Sequence, residues 1–110
     1  QSESHAPVFE AFYNKKVMNN NDKKTMAEGI AIMHPPRLVQ IVNAIKRTGG
    51  KVILANEASI KSGLELALAE GIFIEPTSAV AVHGAKVYGQ GAKGEKIVCN
   101  LTGHGLKTMW

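Results

Sequence analysis

Two polar side chains stand at the ends of two apolar segments, where they could act on one ligand. The segment 101–107 (LTGHGLK) follows 96–100 (KIVCN), whose three central residues are apolar, so the Thr102 hydroxyl comes at the start of a glycine-rich loop. Glu75 follows the apolar run 72–74 in the same way. If both runs are parallel strands, their carboxyl ends meet at the sheet edge where open α/β folds bind ligands. The sequence therefore predicts one site that contains a hydroxyl and a carboxylate.

Each of these groups also has a purely structural interpretation. Thr102 could cap the turn that follows it, and Glu75, which precedes Pro76, could be a charge at a helix N-terminus. His104 could line a pocket or simply fill the loop, and Lys107 could be solvated or start a helix. The shared location of Thr102 and Glu75 favours a functional site.

Metal binding and nucleophilic catalysis are not expected of this chain. Its four histidines lack the spacing of metal ligands, and Cys99 is the only cysteine. There is no GxSxG segment and no Cys/His arrangement that would indicate a nucleophile. Cys99 itself lies inside an apolar strand pattern and is expected to be a core residue.

Helices and strands must alternate to position the candidate site. A proline in the first turn predicts a short helix after Ala6, and apolar spacing predicts helices at about 36–48 and 57–70, with Leu68 on the buried side of the second. A third helix, capped by Thr77 or Ser78 and running to about Tyr88, is apolar nearly all round and should lie inside a larger body. The segment 26–32 is expected to be a loop or a short extended piece, and 19–24 a polar loop.

The continuous apolar run 52–55 predicts a strand covered on both faces, and further strands are predicted at 72–75 and 96–101. With helices between them, the expected fold class is α/β: a short parallel sheet of about three strands with covering helices. So small a sheet needs further cover, and we expect it to be part of a larger three-layer α/β/α domain. Gln1, rather than methionine, in the first position also leads us to expect a piece of a longer polypeptide.

Bulk composition narrows the class of protein. The chain has 110 residues, 45% hydrophobic and 20% charged, which is ordinary for a globular domain, and no run approaches the length of a bilayer span. A net charge of +4 comes with scattered lysines and only 5% aromatic residues, so neither nucleic acid nor membrane is an expected partner. A single cysteine favours a cytoplasmic location.

The motifs 70–79 (EGIFIEPTSA) and 101–107 (LTGHGLK), taken together, resemble the C-terminal part of the threonine synthases. These belong to the pyridoxal-phosphate enzymes of fold type II, the tryptophan synthase β-subunit-like superfamily. The resemblance covers nearly the whole chain, since 25–32 (TMAEGIAI) resembles the family's segment behind the cofactor and 1–7 (QSESHAP) resembles the chain after a sheet strand. It implies that residues 1–110 are the C-terminal portion of a fold type II domain and not a complete enzyme.

The resemblance also implies a role for three residues in cofactor binding. The Thr102 hydroxyl would face the pyridine nitrogen of pyridoxal phosphate, and Glu75 would sit near the ring edge. Ser78 and Ala79 would open the helix beneath, and Gly29 would let the backbone pass close to the ring. Where the family often has an aspartate after this Gly-Leu-Lys, the chain has Thr108.

No catalytic residue is expected in this chain, because the resemblance places the family's Schiff-base lysine and phosphate-binding loop earlier in the polypeptide. The complete enzyme would convert O-phosphohomoserine and water to threonine and phosphate, whereas residues 1–110 alone would be inactive and bind pyridoxal phosphate weakly if at all. The implied partners are a small amino-acid substrate and the remainder of the parent polypeptide, with a homo-oligomer left open. Two alternatives remain: a threonine or serine dehydratase of the same fold, and a free-standing α/β module that binds a ligand or a protein.

Overall fold

Four helices make up most of the regular structure of this chain. In the computed structural model, which describes residues 1–18 and 24–108, single 3-10 turns lie at Glu28–Ile30 and Gly105–Lys107. The helices are α1 (Pro7–Tyr13), α2 (Leu38–Arg47), α3 (Glu57–Ala69) and α4 (Pro76–Gly89). All four helices are where the sequence predicts them. The predicted polar loop 19–24 lies almost entirely outside the described residues.

Helix α3 begins and ends where its capping residues predict. The Asn56 side chain accepts a hydrogen bond from the backbone N–H of Ser59 at 2.9 Å, which satisfies one of the helix's free donors. Gly71 follows the last turn with a φ of 76°, a left-handed conformation that glycine adopts at low cost. These two residues therefore set the length of the helix.

The N-cap of helix α4 lies two residues before Thr77, the nearer of the two predicted caps. Glu75 is the N-cap, with extended backbone (ψ 159°), and neither Thr77 nor Ser78 serves as a side-chain cap. The prediction of a Thr77 or Ser78 cap is wrong because Pro76 takes the first helical position. Its ring presets the helical φ there and keeps the preceding residue extended.

The core lies between α3 and α4. Gly63 of α3 lies so close to the carbonyl of Ala79 in α4 that a Cβ atom on Gly63 would overlap it. Buried apolar side chains surround this crossing: Ala27, Ala55, Ile60, Leu64, Ala67, Ile74 and Ala79. The predicted burial of Leu68 is wrong, since 62% of this residue is exposed. It lies at the margin of the stripe formed by Ile60, Leu64 and Ala67.

The three-strand parallel sheet is not confirmed. Within residues 1–18 and 24–108 there is no regular strand, and two isolated bridges take its place. One bridge joins Ser2 and Ala55 in parallel, with the Ala55 N–H donating to the Gln1 carbonyl at 2.9 Å and the Glu3 N–H donating to the Ala55 carbonyl at 2.8 Å. The predicted strand 52–55 is thus paired over a very short length, with the first residues of the chain.

The second bridge joins Ile74 and His104, and it is antiparallel. The predicted strand 96–101 is irregular, and its Val98 is 94% exposed. A parallel strand is stabilised when both of its faces are covered, whereas residues 96–98 of this segment are exposed and Cys99, which was expected in the core, is only half-buried. Its apolar pattern alone therefore does not produce a strand.

Candidate functional site

Glu75 and the glycine-rich loop lie side by side, as the sequence predicts, although no parallel sheet brings them together. The Glu75 N–H donates to the Gly103 carbonyl at 3.1 Å, and the Gly105 N–H donates to the Phe73 carbonyl at 3.1 Å. The Glu75 carboxylate lies directly against Gly103, in the space a Cβ atom would need. The loop is therefore attached to the start of α4 through the backbone and through this contact.

Ser78 is a second attachment point between α4 and the loop. It is 1% exposed, and its Oγ accepts a hydrogen bond from the Gly103 N–H at 3.0 Å. The same oxygen lies 3.4 Å from the Gly103 carbonyl and 3.5 Å from the Thr102 Oγ1. The hydroxyl of Ser78 thus contacts the Thr102 hydroxyl and both backbone polar groups of Gly103.

Thr102 is exposed, and its hydroxyl is next to the buried hydroxyl of Ser78. A threonine hydroxyl has one proton to donate and two lone pairs to accept with, so a hydrogen bond to Ser78 leaves Thr102 able to form another with a ligand. The structure therefore presents Thr102 at the surface, one residue away from the Glu75–Gly103 contact.

A cleft of about 630 Å³ opens beside Glu75. Its lining residues are Met26, Glu28, Gly29, Glu75, Pro76, Thr77, Lys107 and Thr108. Two of the three predicted site residues, Gly29 and Glu75, line this cleft together, although they are far apart in the sequence. The third, Thr102, adjoins Glu75 through Gly103 but is not part of the lining.

Gly29 lies in the 3-10 turn that packs against the first turn of α4. A Cβ atom at this position would come within 2.8 Å of the Thr77 Oγ1. In this structure, a side chain larger than that of glycine at position 29 would collide with the Thr77 side chain of α4. The turn Glu28–Ile30 replaces the predicted loop or extended piece and forms one wall of the cleft.

His104 is held inside the loop by two contacts. Its Nδ1 accepts a hydrogen bond from the Leu106 N–H at 3.1 Å, and its ring meets Phe73 edge-on with the centroids 5.5 Å apart. Next to it, a Cβ atom on Gly105 would come within 2.7 Å of the Phe73 ring. These contacts fix the end of the loop, where the 3-10 turn Gly105–Lys107 begins.

The charges around the cleft have both signs. The acidic residues Glu28 and Glu75 line it together with the basic residue Lys107. Across the described ranges, no three His, Cys, Asp or Glu side chains are grouped closely enough to hold a metal ion.

Within residues 1–18 and 24–108, no helix is both long and apolar enough to cross a bilayer.

Sequence reasoning assigned Ser78 only to the opening turn of α4 and missed its contact with the loop. A serine three residues after Glu75, inside an apolar helix, was the available signal, because a buried hydroxyl requires a hydrogen-bond partner. The partner itself could not be identified from spacing, since Thr102 and Gly103 lie far along the chain.

This arrangement of a glycine-rich loop, a carboxylate and a cleft at a helix start agrees with the family the chain resembles. A family model described as "Pyridoxal-phosphate dependent enzyme" matches residues 1–103, so the chain belongs to this family. The predicted cofactor of the complete enzyme is that of the family.

Among curated proteins, the chain is similar to threonine synthases. It is 34% identical over 113 aligned positions to the threonine synthase of Methanocaldococcus jannaschii, which covers 97% of this chain and 28% of the relative. It is 35% identical over 88 positions to that of Mycobacterium tuberculosis, and 33% over 90 positions to that of Halalkalibacterium halodurans. The chain spans about a quarter of the length of these relatives.

The residues around the cleft are compatible with pyridoxal phosphate. Clefts of about 300–1,000 Å³ hold small ligands, and this one lies within that range. Its polar lining consists of side chains that can orient an aromatic ring without binding a metal.

Proposed function

We propose that this chain forms one wall of the pyridoxal-phosphate site of a threonine synthase, as the C-terminal portion of its fold type II domain. The parent polypeptide would convert O-phosphohomoserine and water to threonine and phosphate. The observation that carries the proposal is the meeting of Gly29 and Glu75 in one cleft beside the 102–105 loop. Similarity to threonine synthases supports the choice of reaction.

In this proposal Thr102 and Glu75 orient and tune the cofactor. Pyridoxal phosphate, when bound, supplies an electron sink, and the protein supplies its orientation and electrostatics. A neutral Thr102 hydroxyl beside the ring nitrogen would hold the ring without forcing a proton onto it, as a carboxylate would. Glu75 would contact the ring edge, and Gly29 would contribute backbone to the same wall.

The proposal assigns no acid, base or Schiff-base lysine to residues 1–110. The cofactor-binding lysine would come from a different part of the parent polypeptide, together with the loop that holds the phosphate. Purified residues 1–110 should therefore release no phosphate from O-phosphohomoserine in the presence of pyridoxal phosphate. Robust turnover by this chain alone would contradict the proposal.

Lys107 provides a sharper test, because its ammonium group lines the cleft. Borohydride reduction in the presence of pyridoxal phosphate, followed by peptide mass spectrometry, should label Lys107 no more than the exposed Lys61 of α3. Preferential labelling of Lys107 would mean that the chain contains its own cofactor lysine.

Product analysis of the complete polypeptide tests the reaction. With O-phosphohomoserine we expect threonine and phosphate in equal amounts. With threonine or serine we expect no 2-oxo acid and no ammonia, whereas rapid formation of both would indicate a dehydratase.

A cooperatively melting monomer of residues 1–110 that binds an unrelated ligand would instead favour a free-standing module.

The proposal includes a cytoplasmic enzyme whose partners are an amino-acid substrate and the remainder of its own polypeptide. The free thiol of Cys99 is in keeping with a reducing compartment. Gel filtration of the complete polypeptide would decide whether it forms a homo-oligomer.

A further inference from the structure

Ser78 connects the candidate cofactor contact to the helix that supports it. Its side chain is almost completely buried, and its oxygen lies 3.0 Å from the Gly103 nitrogen and 3.5 Å from the Thr102 Oγ1. We propose that Ser78 is a positioning residue that holds the Thr102 side chain in one rotamer and determines whether its hydroxyl donates or accepts a hydrogen bond. The inference rests on the proposed role of Thr102 in cofactor binding.

Hydrogen-bond counting limits what the two hydroxyls can do together. Each hydroxyl has one proton to donate and two lone pairs to accept with. One lone pair of Ser78 accepts from the Gly103 N–H, which leaves its proton for either the Thr102 Oγ1 or the Gly103 carbonyl. Because it has a single proton, the Ser78 hydroxyl can donate to only one of these two acceptors at a time.

This choice determines the chemistry that Thr102 offers to a ligand. If Ser78 donates to Thr102, the Thr102 proton is free to be donated to a ring nitrogen. If Ser78 donates to the Gly103 carbonyl, Thr102 can donate to Ser78, and its oxygen becomes an acceptor for a protonated ring. A single buried hydroxyl thus sets whether Thr102 acts as a donor or an acceptor.

The backbone holds Ser78 in place for this task. Its N–H donates to the Glu75 carbonyl at 3.0 Å, in the first turn of α4. Glu75 in turn donates to the Gly103 carbonyl at 3.1 Å. Hydrogen bonds therefore join Glu75, Ser78 and Gly103 to one another. Among the described residues, the Thr102 side chain has a hydrogen-bond contact with Ser78 alone.

The first test uses the 110-residue chain without cofactor and measures the side-chain rotamer of Thr102 by three-bond NMR couplings to its Cγ2. We expect a single rotamer in the unsubstituted chain and rotamer averaging in Ser78→Ala. The Gly103 amide should exchange with solvent about five to ten times faster in this variant, because it loses its acceptor. Ser62→Ala, in the half-buried serine of α3, is the matched control and should change neither quantity.

Ser78→Thr keeps the hydroxyl and should retain both the single Thr102 rotamer and the slow Gly103 exchange. This rescue separates hydrogen bonding from a general loosening of α4, which would affect the two variants alike. A Thr102 rotamer that is unchanged in a folded Ser78→Ala chain would overturn the proposal. If Ser78→Ala does not fold, averaging in the folded Ser78→Thr chain would overturn it instead.

The second test uses the complete polypeptide and a titration with pyridoxal phosphate. Ser78→Ala should weaken binding about two- to fivefold, by no more than loss of the Thr102 hydroxyl itself, and shift the cofactor absorption maximum, whereas Ser62→Ala should change neither. An unchanged affinity and spectrum in Ser78→Ala would overturn the link from Ser78 to the cofactor. If the unsubstituted polypeptide binds no pyridoxal phosphate, the proposed function fails, and the rotamer measurement still decides the role of Ser78.

Discussion

The carboxylate of Glu75 occupies the space that a Cβ atom on Gly103 would need. Gly103→Ala should therefore displace the carboxylate, which is the mobile end of a flexible side chain. We expect a loss of at most about 1 kcal/mol in the free energy of unfolding, since no backbone has to move. If Glu75 contacts the cofactor, the affinity of the complete polypeptide for pyridoxal phosphate should fall at the same time.

Urea unfolding and a pyridoxal-phosphate titration measure these two effects separately. Gly94→Ala would be a poor control, because Gly94 has a φ of 83° and alanine would be strained there. Gly91→Ala is suitable, since a Cβ atom there would meet no atom closer than 3.9 Å. Equal cofactor affinity for Gly103→Ala and Gly91→Ala would argue against a role for the position of Glu75.

At the crossing of α3 and α4, Gly63 is required for a different reason. A Cβ atom on Gly63 would overlap the backbone carbonyl of Ala79, which cannot rotate away. Gly63→Ala should lower the free energy of unfolding by about 1–3 kcal/mol, the usual cost of overpacking. Gly84→Ala in α4 is the matched control, because a Cβ atom there meets nothing within 4 Å and alanine favours a helix by about 1 kcal/mol.

Urea denaturation of both variants gives the comparison directly. Gly84→Ala should be as stable as the unsubstituted chain or more so, whereas Gly63→Ala should unfold at a lower urea concentration. If the two substitutions have the same effect, the two helices do not pack closely at Gly63.

The helices could be predicted from the sequence because their signals are local. Pro7, Asn56 and Gly71 each act within one turn of a helix end, and the resulting bounds are close to the predicted ones. The N-cap of α4 lies two residues before the nearer of the predicted caps, because Pro76 overrides the capping preference of the hydroxyl residues that follow it. Local chemistry therefore accounts for both the successes and the error.

The sheet could not be predicted in the same way, because a strand depends on what lies beside it. The segments 52–55, 72–75 and 96–101 have the largely apolar composition of buried strands, yet Val98 is 94% exposed, and within residues 1–18 and 24–108 the pairing is limited to isolated bridges. The site was more predictable than the sheet, since Glu75 and Gly103 still meet. The contact of Ser78 with Thr102 required the three-dimensional structure.

The Asn56 cap of α3 leads to a prediction on stability alone. Asn56→Ala removes the acceptor for the Ser59 N–H and should lower the free energy of unfolding by about 1 kcal/mol. Asn56→Ser keeps a side-chain oxygen at the N-cap and should recover most of that loss. Thermal melts followed by circular dichroism would show the order, and an Asn56→Ala chain as stable as Asn56→Ser would rule out the cap.

Thr102 allows the proposed cofactor contact to be tested with little effect on the fold. Thr102→Val keeps the shape of the side chain and removes its hydroxyl. Because residue 102 is exposed, the free energy of unfolding should change by less than about 0.5 kcal/mol. One hydrogen bond contributes about 0.5–1.5 kcal/mol, so the complete polypeptide should bind pyridoxal phosphate about two to ten times more weakly. Thr102→Ser should restore binding, and Thr48→Val, at the exposed end of α2, should leave it unchanged. Cofactor fluorescence during the titration measures all three variants, and equal affinities for Thr102→Val and Thr48→Val would remove Thr102 from the cofactor site.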